Sequence, residues 1–168
     1  MTELDQVWSR LLEETATNAH INGRGHIAEY LKLKATNDAI RAAGIGWLFD
    51  TLIEIAGGEQ GRHRNLTIER AEPHRFDCGN STMVGSLLSI REGVRCLTTE
   101  AGWARVPSDG VMQKGALAYG RVNHFGIPKA GVEIRLVLSD PMPEWRSENG
   151  DVVDSSFLRQ HVDLLLGV

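Results

Sequence analysis

The chain has 168 residues, is 42% hydrophobic and 24% charged, and carries a net charge of −4. Those values predict one globular domain that can bury a core without disulfides or structural metal, and they exclude a disordered chain. The charge is uneven, −3 over residues 1–58, +3 over residues 59–135 and −4 over residues 136–168, and the overall acidity argues against a dedicated nucleic-acid domain.

In chain order, MTELDQVWSR has neither the basic nor the apolar region of a signal peptide. That predicts a cytoplasmic protein whose two cysteines, Cys78 and Cys96, are thiols. The longest uncharged stretch, residues 78–90, is too short and too polar to span a bilayer, so no membrane partner is expected. Leu4, Val7, Trp8, Leu11, Leu12 and Thr15 share one helical face, and Asn22-Gly23 ends it. A further helical pattern starts near Gly25 with Ile27, Tyr30 and Leu31. Another carries Ile40, Gly44, Trp47, Leu48, Thr51, Leu52 and Ile55. These are two helices or one long helix from about residue 25 to residue 56. Gly44 and Gly46 cost helix propensity, which suggests close approach of another element. Gly57-Gly58 stops the pattern.

Past the double glycine the period becomes two. Leu66 and Ile68 alternate with polar residues, as do Val84, Ser86, Leu88 and Ile90. Val94, Cys96 and Thr98 follow a tight turn at Glu92-Gly93. Residues 102–115 form a long loop bounded by glycine. A strand over residues 116–124 turns at GIPKAG into Val132, Ile134, Leu136 and Leu138. Asn149-Gly150 marks a small hairpin, and the last helix is capped by Asp154 or Ser155 with Leu158, His161, Val162 and Leu165 on one face. The expected fold is α+β. N-terminal helices and a C-terminal helix pack on one face of a five- to six-stranded, mainly antiparallel sheet. The expected organisation is one domain: residues 1–58 helical, 59–154 sheet and 155–168 a closing helix. Without βαβ alternation no dinucleotide site is expected.

No motif here forces a chemistry. His63, His74, Cys78 and Cys96 are zinc-ligand types, but they lack the tight pairs of a structural zinc site, so neither metal nor cofactor is expected. Cys96, with Val94, reads as a small buried hydrophobe. Cys78 sits in a polar turn without a base placed against it, and its reactivity stays open. G-x-S-x-G and phosphate-loop motifs are absent. Ala116, Ala118, Gly120 and Val122 share a side with His124 and leave room for a helix or a ligand. In the long loop Trp103, Arg105 and Lys114 suit an interface anchor, or Trp103 covers the sheet. Arg62, Arg64, Arg70, His74 and Arg75 flank a strand and interleave with Glu69, Glu72 and Asp77, the pattern of a solvated sheet edge. The candidate binding residues are therefore Trp103, Arg105, Lys114, His124, Arg62, His74 and Arg75.

Three functions follow, and whether the chain is an enzyme stays open. The first is a binding or assembly domain that contacts a protein partner or a second copy of itself as a homo-oligomer. The second is a small-molecule enzyme with a pocket between helices and sheet. A long helix against an antiparallel sheet resembles hot-dog thioesterases, although in those the helix follows the first strand and here the helices precede every strand. The third is a nucleic-acid accessory factor using residues 59–135, a partner the acidity disfavours.

Overall fold

The helical period of residues 40–56 ends at Gly57-Gly58, and the alternation beyond it builds a sheet. A computed structural model describes residues 25–139 and 142–168. The helix expected over residues 4–22 lies outside them. Helix α1 spans Gly25–Ala56 without a break. Six strands follow: β1 Leu66–Cys78, β2 Ser81–Glu92, β3 Arg95–Trp103, β4 Ala118–His124, β5 Val132–Val137 and β6 Glu144–Ser147. Helix α2, Ser155–Leu166, closes the chain. The fold is α+β, with an open, fully antiparallel sheet in the order β1-β2-β3-β4-β5-β6. No helix among the described residues is long and apolar enough to cross a membrane.

The chain divides after Ala42 into two compact units. In the first, Arg41 reaches back 2.7 Å to Asp38, and the Thr36 hydroxyl donates to the Lys32 carbonyl. Ile27 and Tyr30, expected on the apolar side of this stretch, are exposed.

In the second unit the final turns of α1 bury Ile45, Leu48, Phe49, Leu52 and Ala56, a three- and four-residue spacing along one stripe. This stripe is rotated from the expected one: Trp47 points outward and Phe49 inward. Gly44 keeps its expected place on the packed side. A Cβ there would lie 2.7 Å from Leu136 Cδ2, so the bare helix backbone sits directly on β5. The indole Nε1 of Trp145 then donates to the Gly44 carbonyl at 2.9 Å. Each fully buried large side chain on this stripe contributes about 1.5–3 kcal/mol of burial.

One sheet face carries the core. Ile90, Leu97 and His124 lie side by side across β2, β3 and β4, and Leu88, Thr99 and Val122 form the next row. Ala118, Leu136 and Trp145 extend that face toward β6. Helix α2 adds Leu158, Val162, Leu165 and Leu166. Of the two caps the sequence offers, Asp154 and Ser155, the N-cap is Asp154, whose Oδ1 accepts from the Phe157 amide at 2.9 Å.

Two strand readings need correction. β1 runs on through the charged stretch to Cys78, with a bulge between Ala71 and His74 around the cis Glu72-Pro73 bond. Arg70, His74 and Arg75 are therefore strand residues, because β2 is long enough to pair with both halves of β1. β1 is indeed an edge strand. The alternation phased on Val94 and Cys96 is one residue out. Val94 lies in the turn at 88% exposure, and Leu97, not Cys96, faces the core because it pairs with Ile90 and His124.

The sheet is strongly curled. Gly85 pairs with Gly102, and a Cβ at Gly85 would fall 1.9 Å from the Ala101 carbonyl oxygen. Only bare backbone fits at this crossing. The curl brings β1 over the second face: Arg121 on β4 donates to the Asp77 main-chain carbonyl on β1, three strands away, at 3.2 Å.

Candidate functional site

The covered face is filled. Leu48, Phe49 and Leu52 from α1 and Leu88, Leu97 and Leu136 from the sheet are all at most 2% exposed. The small residues leading to His124 make room for helices. His124 Nε2 and His161 Nδ1 of α2 share a hydrogen bond of 2.9 Å, with the rings stacked at 5.2 Å and Phe157 against the second ring at 5.4 Å. Burial lowers the pKa of both, and with His124 alongside, His161 falls to about 4. One neutral ring donates and the other accepts, so at neutral pH the pair is a polar latch holding α2 on the sheet.

The second face carries a polar network. Glu100 on β3 accepts from Arg121 at 3.0 Å with one oxygen, and its other oxygen lies 2.8 Å from His74 Nε2. Arg121 also reaches Glu133 on β5 at 3.3 Å. Cys78 stands close enough to feel Glu133, Arg121 and Glu100, yet burial foremost, then the carboxylates, pushes its thiol pKa up. That is the opposite of an activated thiolate. Burial, with Cys78 alongside, also raises the phenol of Tyr119, which donates to the Gln113 carbonyl at 2.9 Å.

The long loop is clasped by Asp109, in a short 3-10 turn over Pro107–Asp109. Its Oδ2 accepts from the amides of Arg105 and Val106 at 3.0 and 3.2 Å, and its Oδ1 from Arg75 at 3.1 Å. The Arg105 amide above all, with Val106 and Arg75, holds this carboxyl below its ordinary pKa against the opposing effect of burial. Trp103 ends β3 and is buried, with the Arg105 guanidinium 3.5 Å above its ring. Arg105 Nε donates to the Val84 carbonyl.

Of the seven residues singled out from sequence, Trp103, Arg105 and Arg75 meet around Asp109. His74 lies on the second face of the sheet and His124 on the covered one. Arg62, in the α1–β1 turn, and Lys114, in the long loop, are exposed. They form no common site. Several arginines of the basic middle section meet acids: Arg64 with Glu92, Arg70 with Glu72, Arg75 with Asp109, Arg121 with Glu100 and Glu133. Glu100, Arg121 and Asp109 organise these contacts and escape sequence reading because their partners are distant in the chain. Among the described residues no three of His, Cys, Asp and Glu gather as a metal ligand set.

One end of the sheet is different in character. The β2–β3 turn and the β4–β5 turn lie together there, since the Phe125 amide donates to the Cys96 carbonyl at 2.9 Å. The end of α2 joins them, with Arg95 donating to the Leu165 carbonyl. Val94, Phe125, Ile127, Leu164 and Val168, contributed by these three segments, are all exposed. Comparison with protein families, with curated proteins and with solved structures finds nothing that matches this chain.

Proposed function

We propose that the chain is a binding and assembly domain that pairs with a second copy of itself. The observation that carries this reading is the apolar end formed by Val94, Phe125, Ile127, Leu164 and Val168. Clustered exposed apolar residues mark interaction surfaces, whereas scattered ones do not. A single patch can serve both partners of a two-fold dimer, the commonest closed assembly. Filling of the space between α1 and the sheet supports the same reading, because a small-molecule pocket would occupy that space. The test is sedimentation velocity on the wild type and on Phe125→Asp and Val94→Asp. Both sites are exposed, so the variants keep their fold by circular dichroism. The expected result is a dimer for the wild type and a monomer for the variants. A wild type that stays monomeric up to about 100 μM, weaker than any specific interface of standard size, rejects self-association.

A further inference from the structure

The second face of the sheet holds one arginine whose situation differs from the rest. Five arginines among the described residues are half-buried: Arg41, Arg64, Arg121, Arg135 and Arg146. Four lie on a carboxylate, respectively Asp38, Glu92, Glu100 and Glu144. Among the described residues Arg135 has no ion-pair or hydrogen-bond partner, and its Nε is shielded from solvent with none of them to donate to. Its cross-strand neighbour on β6 is Arg146, and on β4 it is Tyr119. Two like charges directly opposite each other in a sheet repel, and a half-desolvated cation without a counter-charge is costly. Arg146 is relieved by Glu144 and by the Gly150 carbonyl, to which it donates at 2.9 Å. Glu133, two residues before Arg135 on the same strand, is taken by Arg121. The Tyr119 hydroxyl is committed to the Gln113 carbonyl. Glu133 and Glu144 are thus engaged by other arginines, and Glu148, beside them on this face, makes no ion pair with Arg135.

We propose that Arg135 anchors a binding site for a small oxyanion, a carboxylate or phosphate group, on this face of the sheet. With Nε shielded, the outer edge of the guanidinium, Nη1 and Nη2, presents a planar fork of N–H donors suited to two oxygens of one group. Arg146 lies alongside as a second positive charge, fixed in place by Glu144, and the anion relieves the repulsion between them. A point charge on a flexible stem does not reproduce the fork, so lysine at position 135 is a poor substitute. This site is independent of the apolar end proposed for self-association.

The test titrates the full chain with inorganic phosphate and, separately, with glutarate, at constant ionic strength set with chloride. Two readouts are followed, the Arg135 Nε–H cross-peak in nitrogen–proton NMR spectra and the melting temperature. The expected result is a saturable shift of that cross-peak and a rise in melting temperature of a few degrees at saturating anion. Arg135→Gln abolishes the rise, and Arg135→Lys weakens binding by about tenfold or more, the worth of roughly one charge-assisted hydrogen bond. A response to phosphate alone, to glutarate alone or to both supports the site and identifies the group it takes. Should Arg135→Gln fail to fold, the wild-type cross-peak and the lysine variant still decide. An unmoved Arg135 cross-peak up to about 50 mM of either anion overturns the proposal, since physiological small-molecule ligands bind well below that. An equal melting response in wild type and Arg135→Gln, the sign of adventitious binding elsewhere, overturns it too.

Discussion

The two faces of one sheet are stabilised by different physics. The helix-covered face is dry and close-packed, with Phe49, Leu52, Leu97 and Leu136 buried in it and polar ties to the helices at His124 with His161 and Trp145 with the Gly44 carbonyl. The other face is held mainly by charge and backbone, with Phe76 and Met83 as a buried apolar pair beside them: the Glu100–Arg121–Glu133 chain, His74 on Glu100, and the bare Gly85–Gly102 crossing that curls the sheet toward it. On the first face, side-chain volume sets stability. On the second, geometry does, because a network of partners drawn from β1, β3, β4 and β5 forms only when the curl is correct.

The comparison breaks most severely at the crossing. Gly102→Val has no room, since a Cβ there meets the Val84 backbone at 2.6 Å. A loss of about 4 kcal/mol or more is expected, the range of forced backbone displacement. Recovery of a soluble variant with wild-type circular dichroism and melting temperature would show that the curl is not required. The next effect belongs to the covered face and is set by pH. The His161 pKa is lowered from its unfolded value near 6.5 to about 4. The neutral form is therefore the one the fold favours. Its stability contribution is complete above pH 6.5 and is lost as pH falls toward 4, by about 3 kcal/mol. Urea denaturation at pH 7 and pH 4 measures it, and His161→Phe is expected to flatten the dependence. An unchanged slope in that variant would assign the acid sensitivity to other groups.

Smaller effects sharpen the contrast. Glu100→Gln leaves Arg121 with Glu133 and the Asp77 carbonyl but deprives His74 of its carboxylate. The expected cost is about 2 kcal/mol, the scale of a charge-assisted hydrogen bond in a half-buried place. A cost near zero by denaturant titration would make the network a surface ornament. The smallest change has the opposite sign. Thr99, 1% exposed between Leu88 and Val122, has a hydroxyl without a partner. Thr99→Val keeps its shape, removes that group and is expected to stabilise by about 1 kcal/mol. Destabilisation on the same assay would mean that the hydroxyl is satisfied in solution.

Much of this architecture is legible from periodicity. The switch after Gly57-Gly58, the turns at Gly93 and Asn149-Gly150, the Asp154 cap and the buried set Leu158, Val162 and Leu165 all follow from local spacing and turn chemistry. The second half of β1 does not, because RAEPHRFDC has no alternation and is a strand only through its pairing with β2. Trp103 was legible in principle. Counted by twos from Leu97 it falls on the covered face, but a phase taken from Val94 hides this. Glu100 and Asp109 carry no spacing signal at all. Each is a single acid whose role is decided by Arg121, His74 or Arg75, partners between 21 and 34 residues away. Local pattern finds elements; it does not find which distant charges they bring together.

The nearest-neighbour order of the strands also bears on how the chain reaches this state. Every ladder joins segments adjacent in sequence, so each hairpin closes over a short span and none waits for a strand made much later. Such a sheet can zip from any turn outward, whereas α1 docks only when Trp145, 101 residues beyond Gly44 in its hydrogen-bonded contact, is in place, so hairpin formation ahead of helix docking is the kinetic signature to look for in a stopped-flow trace.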